Sequence, residues 1–237
     1  MIKKIIISTT VFIILLAVGT ILYFHGYWRF NYPDNSKYPI RGIDVSRHQG
    51  EIDWKKIKQE GISFVFIKAT EGWNYKDPDF NRNWKGASNA GLLKGAYHFF
   101  TFCKSGIEQS QNFINTVPVD YGSLPPVVDF EFVGNCEKPT EKAIVVKELL
   151  VFIREVKEKY KKLPIMYVTY DSYNHFLKGE VLDCYIWIRD VFFTPGIPEE
   201  KRWTFWQYSS HGRVKGINGS VDLDVFFENK MSDLKKL

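Results

Sequence analysis

Five times in succession, this chain follows a short apolar run with a stretch of helical character. That alternation constrains the fold more than any other feature, because parallel strands need crossover connections and helices supply them. The first strand reads Arg41–Ser46, and Asp53 is placed to cap a helix that Gly61 closes. Strands over 63–69 and 93–100 are followed by helices over 79–90 and 107–115. A fourth strand within 124–132 leads to the clearest helix, Thr140 to Tyr160, with Thr140 at its cap. Val146, Leu149, Leu150, Ile153 and Val156 give it an apolar face at three–four spacing. A fifth strand, 164–169, precedes a helix near 172–177, and strands over 185–188, 203–208 and 221–226 complete the chain. Eight strands in about 190 residues predict an α/β fold, a β/α barrel whose last helices are missing. No repeat or low-complexity tract marks a second domain.

The fourth strand carries the chemistry. Leu124-Pro125-Pro126-Val127-Val128 runs into Asp129-Phe130-Glu131-Phe132. In a strand, residues two apart share a face, so Asp129 and Glu131 point together. Acids at the end of an apolar strand are costly to bury unless paired or in use. In a β/α barrel the active site lies at the C-terminal ends of the strands. Asp44 on the first strand and Asp222 on the last are expected at such ends too, so four carboxylates would meet at one mouth. Glycosidic cleavage uses such groups: one protonates the leaving oxygen, another stabilises or attacks the carbon that becomes cationic. Singly, each acid has an ordinary explanation. Asp-x-Glu pairs are common, Asp44 would serve as a cap or turn residue, and Asp222 would pair with Arg213 or Lys215. Their agreement in position is what points to a site.

Ile5–Phe24 carries no charge over 20 residues. At ~1.5 Å per residue it spans the ~30 Å core of a bilayer. Lys3 and Lys4 precede it, which keeps the N-terminus in the cytoplasm. Tyr23, Tyr27 and Trp28 fall where an interfacial aromatic belt would lie. The expectation is residues 1–4 cytoplasmic, 5–24 an uncleaved transmembrane anchor, 25–38 a linker, and 39–237 an extracytoplasmic catalytic domain. A cleaved signal peptide is the alternative, although Leu22–Trp28 offers no good small-residue cleavage site.

Aromatic residues make up 16% of the chain, which suits sugar stacking as well as a large core. The net charge of +5 favours anionic surroundings only mildly, and no basic–aromatic motif points to nucleic acid. Cys103, Cys136 and Cys184 lack metal-ligand spacing. Cys103 follows the third strand and Cys136 the fourth, so neighbouring strand ends would bring them within disulfide range. Cys184 is expected as a buried thiol. His98, in an aromatic run, is expected to pack with a hydrogen-bond partner, and neither it nor His48 predicts a metal. No cofactor is expected.

Several motifs in order resemble glycoside hydrolase family 25, the N-acetylmuramidase lysozymes of the cellosyl and phage-lysin type. They are Gly42-Ile43-Asp44-Val45-Ser46, His48-Gln49-Gly50, Ile52-Asp53-Trp54 and Phe66–Gly72. Gly95–Phe99, Val128–Glu131, Pro164–Tyr167, Trp187-Ile188, Trp206-Gln207-Tyr208 and Val221–Asp224 continue the likeness over residues 40–228. The resemblance implies a flattened barrel of five β/α units followed by further strands. It implies that Glu131 is the general acid, that Asp129 positions the substrate's acetamido group or steadies its charge, and that Asp44 and Asp222 complete an acidic floor. Tyr97, Tyr167, Trp187 and Gln207 match positions near the sugar. The implied substrate is the β-1,4 bond between N-acetylmuramic acid and N-acetylglucosamine in peptidoglycan, cut by a monomer with retention and, as the preferred route, with assistance from the substrate's own acetamide. One departure is Trp187-Ile188-Arg189-Asp190, where many relatives read Trp-Ile-Ala-x-Tyr. The charged pair is expected to form a local salt bridge; the alternative is an altered choice of glycan or peptide stem. A rival function is a wall-binding module that has lost catalysis.

Overall fold

The computed structural model describes residues 2–136, 141–180, 182–196, 203–228 and 230–237. Eight strands close into a barrel: β1 Arg41–Val45, β2 Ile62–Glu71, β4 Leu93–Phe99, β5 Val127–Phe130, β6 Ile165–Val168, β7 Tyr185–Arg189, β8 Phe205–Gly212 and β9 Val221–Phe226. A two-residue strand, β3 Tyr75–Lys76, hairpins back on β2 and was not legible as a separate run. The helices are α1 Ile2–Phe24, α2 Trp54–Gln59, α3 Phe80–Asn89, α4 Gly106–Ile114 and α5 Lys142–Tyr160. Thr140, the expected cap of α5, lies outside the described residues. The helix expected near 172–177 forms as one short turn, Tyr170–Ser172, running into a wider-wound turn, Tyr173–Leu177.

Strands β1, β2, β4, β5, β6, β7 and β8 are mutually parallel in that spatial order. β9 closes the ring antiparallel to both β8 and β1. This corrects one sequence expectation. Asp222 is not at the C-terminal end of its strand but is the second residue of β9. It still reaches the mouth, because β9 runs the opposite way and pairs Asp222 with Asp44.

Strand alternation splits the apolar residues into two cores. Ile43, Val65, Ile67, Val128, Phe130, Met166 and Ile188 face outward against the helices. Phe64, Phe66, Val127, Ile165, Trp187, Phe205 and Phe226 fill the barrel. The inner plug is aromatic: Phe66 lies 4.7 Å from Trp187 and 5.2 Å from Phe205, centre to centre. Each such buried ring contributes ~1.5–3 kcal/mol. The plug demands space elsewhere. A side chain at Gly42 would overlap the Phe64 ring, and one at Gly95 would crowd Phe66.

On α5 the buried face includes Val145, Leu149, Phe152 and Val156, while Leu150 is exposed. Phe152 takes the inward place because His98 meets it there, stacked at 4.8 Å. His98 is fully buried on the outer face of β4, between Thr70 Oγ1 at 2.7 Å and Gln109 Oε1 at 3.2 Å. Burial holds its pKa down to about 3, so the ring stays neutral near pH 7 and its work is packing. Cys184 is half-buried against the core rather than fully enclosed.

Candidate active site

The same alternation that sends Val127 into the barrel sends Asp129 inward one layer higher. Strand β5 ends at Phe130, so Glu131 leaves the ladder and stands on the rim. Asp44 follows Gly42 on β1, Tyr97 follows Gly95 on β4, Tyr167 follows Ile165 on β6, and Gln207 follows Phe205 on β8. The apolar plug is thereby capped by a polar layer at the C-terminal ends of the parallel strands.

A cleft of about 280 Å³ opens above that layer and brings together Asp44, Asp129, Glu131 and Asp222 with Tyr97, Tyr167, Trp187 and Gln207. Arg189 and Ser210 line the same lobe. A second lobe of about 250 Å³ shares Asp44, Tyr97, Asp129, Glu131 and Asp222, and continues past His48, Gln49, Lys68 and Phe99. The carboxylates therefore sit where the two lobes meet. A chain of sugars laid along this groove would have its residues on both sides of Glu131.

Hydrogen bonds fix the floor. Tyr167 Oη donates to Gln207 Oε1 at 3.0 Å, and Gln207 Nε2 donates to Asp44 Oδ2 at 2.8 Å. Trp187 Nε1 donates to Asp224 Oδ1 at 3.0 Å. Asp224 is a fifth acid, one to which the sequence motifs assign no role. Its signal was available: it stands two residues beyond Asp222 on one strand and so shares its face. Lys68 Nζ pairs with Glu71 Oε2 at 2.7 Å and answers part of the negative charge.

The expected local pairing of Arg189 with Asp190 is replaced by two separate arrangements. Arg189 is the last residue of β7 and follows Trp187 inward, where Nε and Nη2 reach Ser210 Oγ at 3.3 and 3.2 Å. Asp190 Oδ1 accepts from the backbone N–H groups of Phe192 and Phe193 at 3.0 and 2.8 Å. Strand parity separates the two side chains, so Arg189 joins the cleft.

Burial governs the titration of the floor. It pushes Asp44 up to about 6, against the hydrogen bond from Gln207. Burial, then the Glu131 charge, raises Asp129 well above the carboxylate range. Burial, then Asp44, does the same for Asp222 and Asp224. Glu131 is raised by burial, while Arg189 pulls the other way. Carboxyls this close hold protons into a pH range where isolated ones have lost them. A group able to donate a proton near neutrality is therefore present.

The Glu131 rim is tied down. Asn135 Nδ2 donates to Glu131 O at 2.9 Å and to Phe100 O at 2.8 Å, and Asn135 Oδ1 accepts from Phe102 N at 2.8 Å. Beside it Cys103 and Cys136 form a disulfide with Cα atoms 6.1 Å apart, joining the loops after β4 and β5.

A barrel with paired, partly protonated carboxyls at the middle of a groove walled by aromatic rings is the working part of a glycoside hydrolase. The chain belongs to Glycosyl hydrolases family 25, whose profile matches residues 43–217. It is similar to a family 25 glycosyl hydrolase from Bacillus anthracis, with a TM-score of 0.83 at 37% identity over 89% of this chain and 98% of that one. It is also 35% identical over 200 residues to Lysozyme M1 of Streptomyces globisporus, covering 79% of this chain and 67% of that protein. The uncharacterized protein YegX of Escherichia coli K12 is 37% identical over 196 residues, 81% of this chain and 71% of its own length.

Proposed function

We propose that this enzyme is a peptidoglycan N-acetylmuramidase that cuts the β-1,4 bond between N-acetylmuramic acid and N-acetylglucosamine. The observation that carries the reading is the position of Asp129 and Glu131 at the junction of the two lobes. Glu131 is the general acid to the glycosidic oxygen. Asp129 has a buried oxygen, Oδ1, with no hydrogen-bond partner among the described residues. That oxygen suits the N–H of a 2-acetamido group. Accepting this bond favours ionised Asp129 and lowers its pKa, which moves the shared proton toward Glu131. The acetamide oxygen is then held to attack the anomeric carbon from the far side, and water later opens the ring so formed with net retention. Asp44, raised least of the three floor acids, carries the negative charge beneath the developing cation, while Asp222 and Asp224, raised much further, hold protons beside it. Tyr97, Tyr167, Trp187 and Gln207 position the sugar.

Mass spectrometry of the released muropeptides tests the bond. Products should end in reducing N-acetylmuramic acid. Reducing N-acetylglucosamine would make the enzyme a glucosaminidase, and binding without any product would favour the inactive wall-binding module.

Arg189 gives a second expected result. Its guanidinium lowers the pKa of Glu131, so Arg189→Ala should raise it. An acid with a higher pKa stays protonated to higher pH. The alkaline limb of the kcat/KM profile should therefore move up in pH. An unmoved limb would remove Arg189 from the electrostatics of the acid.

The N-terminal helix fits a membrane anchor. Lys4–Phe24 is long and apolar enough to cross a bilayer. Thr9, Thr10 and Thr20 turn their hydroxyls back onto helix carbonyls at 2.8–3.0 Å, which suits a medium without water. Residues 1–4 would lie in the cytoplasm, 5–24 in the membrane, and 39–237 would act outside it.

A further inference from the structure

Residues 25–38 were expected to form a linker, yet their first half is docked on the barrel. Gly26 follows α1 at φ +73°, and its backbone presses so closely on His211 and Gly212, the last residues of β8, that any side chain there would overlap the His211 carbonyl. Arg213 Nη1 donates to His25 O at 3.1 Å, and its guanidinium lies 4.7 Å from the centre of the Tyr27 ring. Tyr23 and Phe24, in the last turn of α1, stand 5.0 and 5.4 Å from the His211 ring. Phe30 stands 4.5 Å from Trp28 and 5.0 Å from Phe192. The end of the helix is thus seated on the mouth side of the barrel, beside the loop that follows β7.

That loop presents two aromatic rings outward. Phe192 is 54% and Phe193 75% exposed, and Phe30 links Phe192 to Trp28, 42% exposed, which follows Tyr27, 66% exposed. The carboxylate of Asp190 holds the turn by binding both backbone N–H groups. Exposed rings clustered on one rim mark a contact surface. Its depth follows from the helix. At ~1.5 Å per residue the span ends about where the ~30 Å hydrocarbon core ends, so its foot stands at the headgroup level, where aromatic side chains are favoured.

Resting on the anchor reading above, we propose that Phe192 and Phe193 join Tyr27 and Trp28 in a collar that enters the bilayer interface and holds the cleft against the membrane surface. Ser210, which lines the cleft and binds Arg189, is the residue before His211. The Arg189 lobe therefore faces glycan that lies directly over the lipid. The enzyme would engage the membrane-proximal strands of its polymer rather than the outer layers.

The test uses the full chain in phosphatidylethanolamine–phosphatidylglycerol vesicles with the barrel outside. p-Benzoylphenylalanine replaces Phe193, Trp28 or Tyr121 in turn. Tyr121 is 79% exposed in the connection from α4 to β5, at the barrel end opposite the mouth. All three side chains are outside the core, and unchanged thermal unfolding checks that the substitutions leave it intact. After irradiation, lipid adducts at Phe193 and Trp28 should exceed those at Tyr121 by about tenfold. Adducts at Trp28 but not at Phe193 would overturn the collar and leave the anchor standing. A mature chain lacking the helix, with no adduct anywhere, would overturn both. Equal yields at Phe193 and Tyr121, or a Phe193 adduct to added glycan in place of lipid, would also overturn the collar.

Discussion

Glu131→Gln should lower the rate of glycan cleavage by about 10³–10⁴-fold, the upper range for loss of a positioned proton donor and roughly 4–5.5 kcal/mol of barrier. The amide keeps the size and the hydrogen-bonding reach of the acid but has no proton to give. Glu131 stands on the rim just beyond the end of β5, half-buried and outside both apolar cores. Thermal stability and binding of undigested glycan should therefore be retained. The measurement is release of reducing ends from purified peptidoglycan, set beside the melting curve. A variant that folds and keeps the parent rate would remove Glu131 from the mechanism.

Asp129→Asn should cost about 10²–10³-fold, the scale of losing one preorganised electrostatic contact to the reacting centre. Its signature in pH separates it from the first variant. Burial and the Glu131 charge raise Asp129 further than burial raises Glu131, so the last proton of the pair is held to high pH, and with Asp129 replaced only the less raised Glu131 titrates. The alkaline limb should move to lower pH, opposite to the shift expected for Arg189→Ala. An Asp129→Asn enzyme with normal kcat and an unmoved profile would show that the acetamido contact is not made there. The two variants together test whether one proton is shared between neighbouring carboxyls.

Much of the fold was legible because repeated apolar runs alternate with capped amphipathic stretches. Asp53 caps α2 as expected, its side chain accepting from Lys56 N. The positions of the acids were legible too, because a period of two places Asp44 and Asp129 above the inner plug. What could not be read was strand direction. Nothing local to Val221–Phe226 distinguishes a parallel strand from an antiparallel one, so Asp222 reached the mouth by a route the pattern did not encode. Asp224 was passed over because it reads as a neighbour of Asp222, and its partner, Trp187, lies 37 residues away in sequence. The Arg189–Asp190 pairing failed for a simpler reason. Adjacent residues at a strand end point to opposite sides, and chain proximity gave the wrong partner. The contact between Gly26 and β8 was equally hidden, since a polar stretch after an apolar helix looks like a linker until His211 is seen beneath it.

The Cys103–Cys136 bond reaches beyond the geometry of the rim. It closes a loop across a sequence separation of 33, and such a closure removes about 4 kcal/mol of conformational freedom from the unfolded chain. That is a large fraction of the ~5–15 kcal/mol by which a domain is stable. In reducing surroundings the chain forgoes this contribution, and the segment bearing Glu131 loses its covalent brace. In oxidising surroundings both are restored. On the proposed placement outside the membrane, maturation of the enzyme would be linked to export. Such a barrel would be least robust where it is made and most robust where the proposed polymer lies.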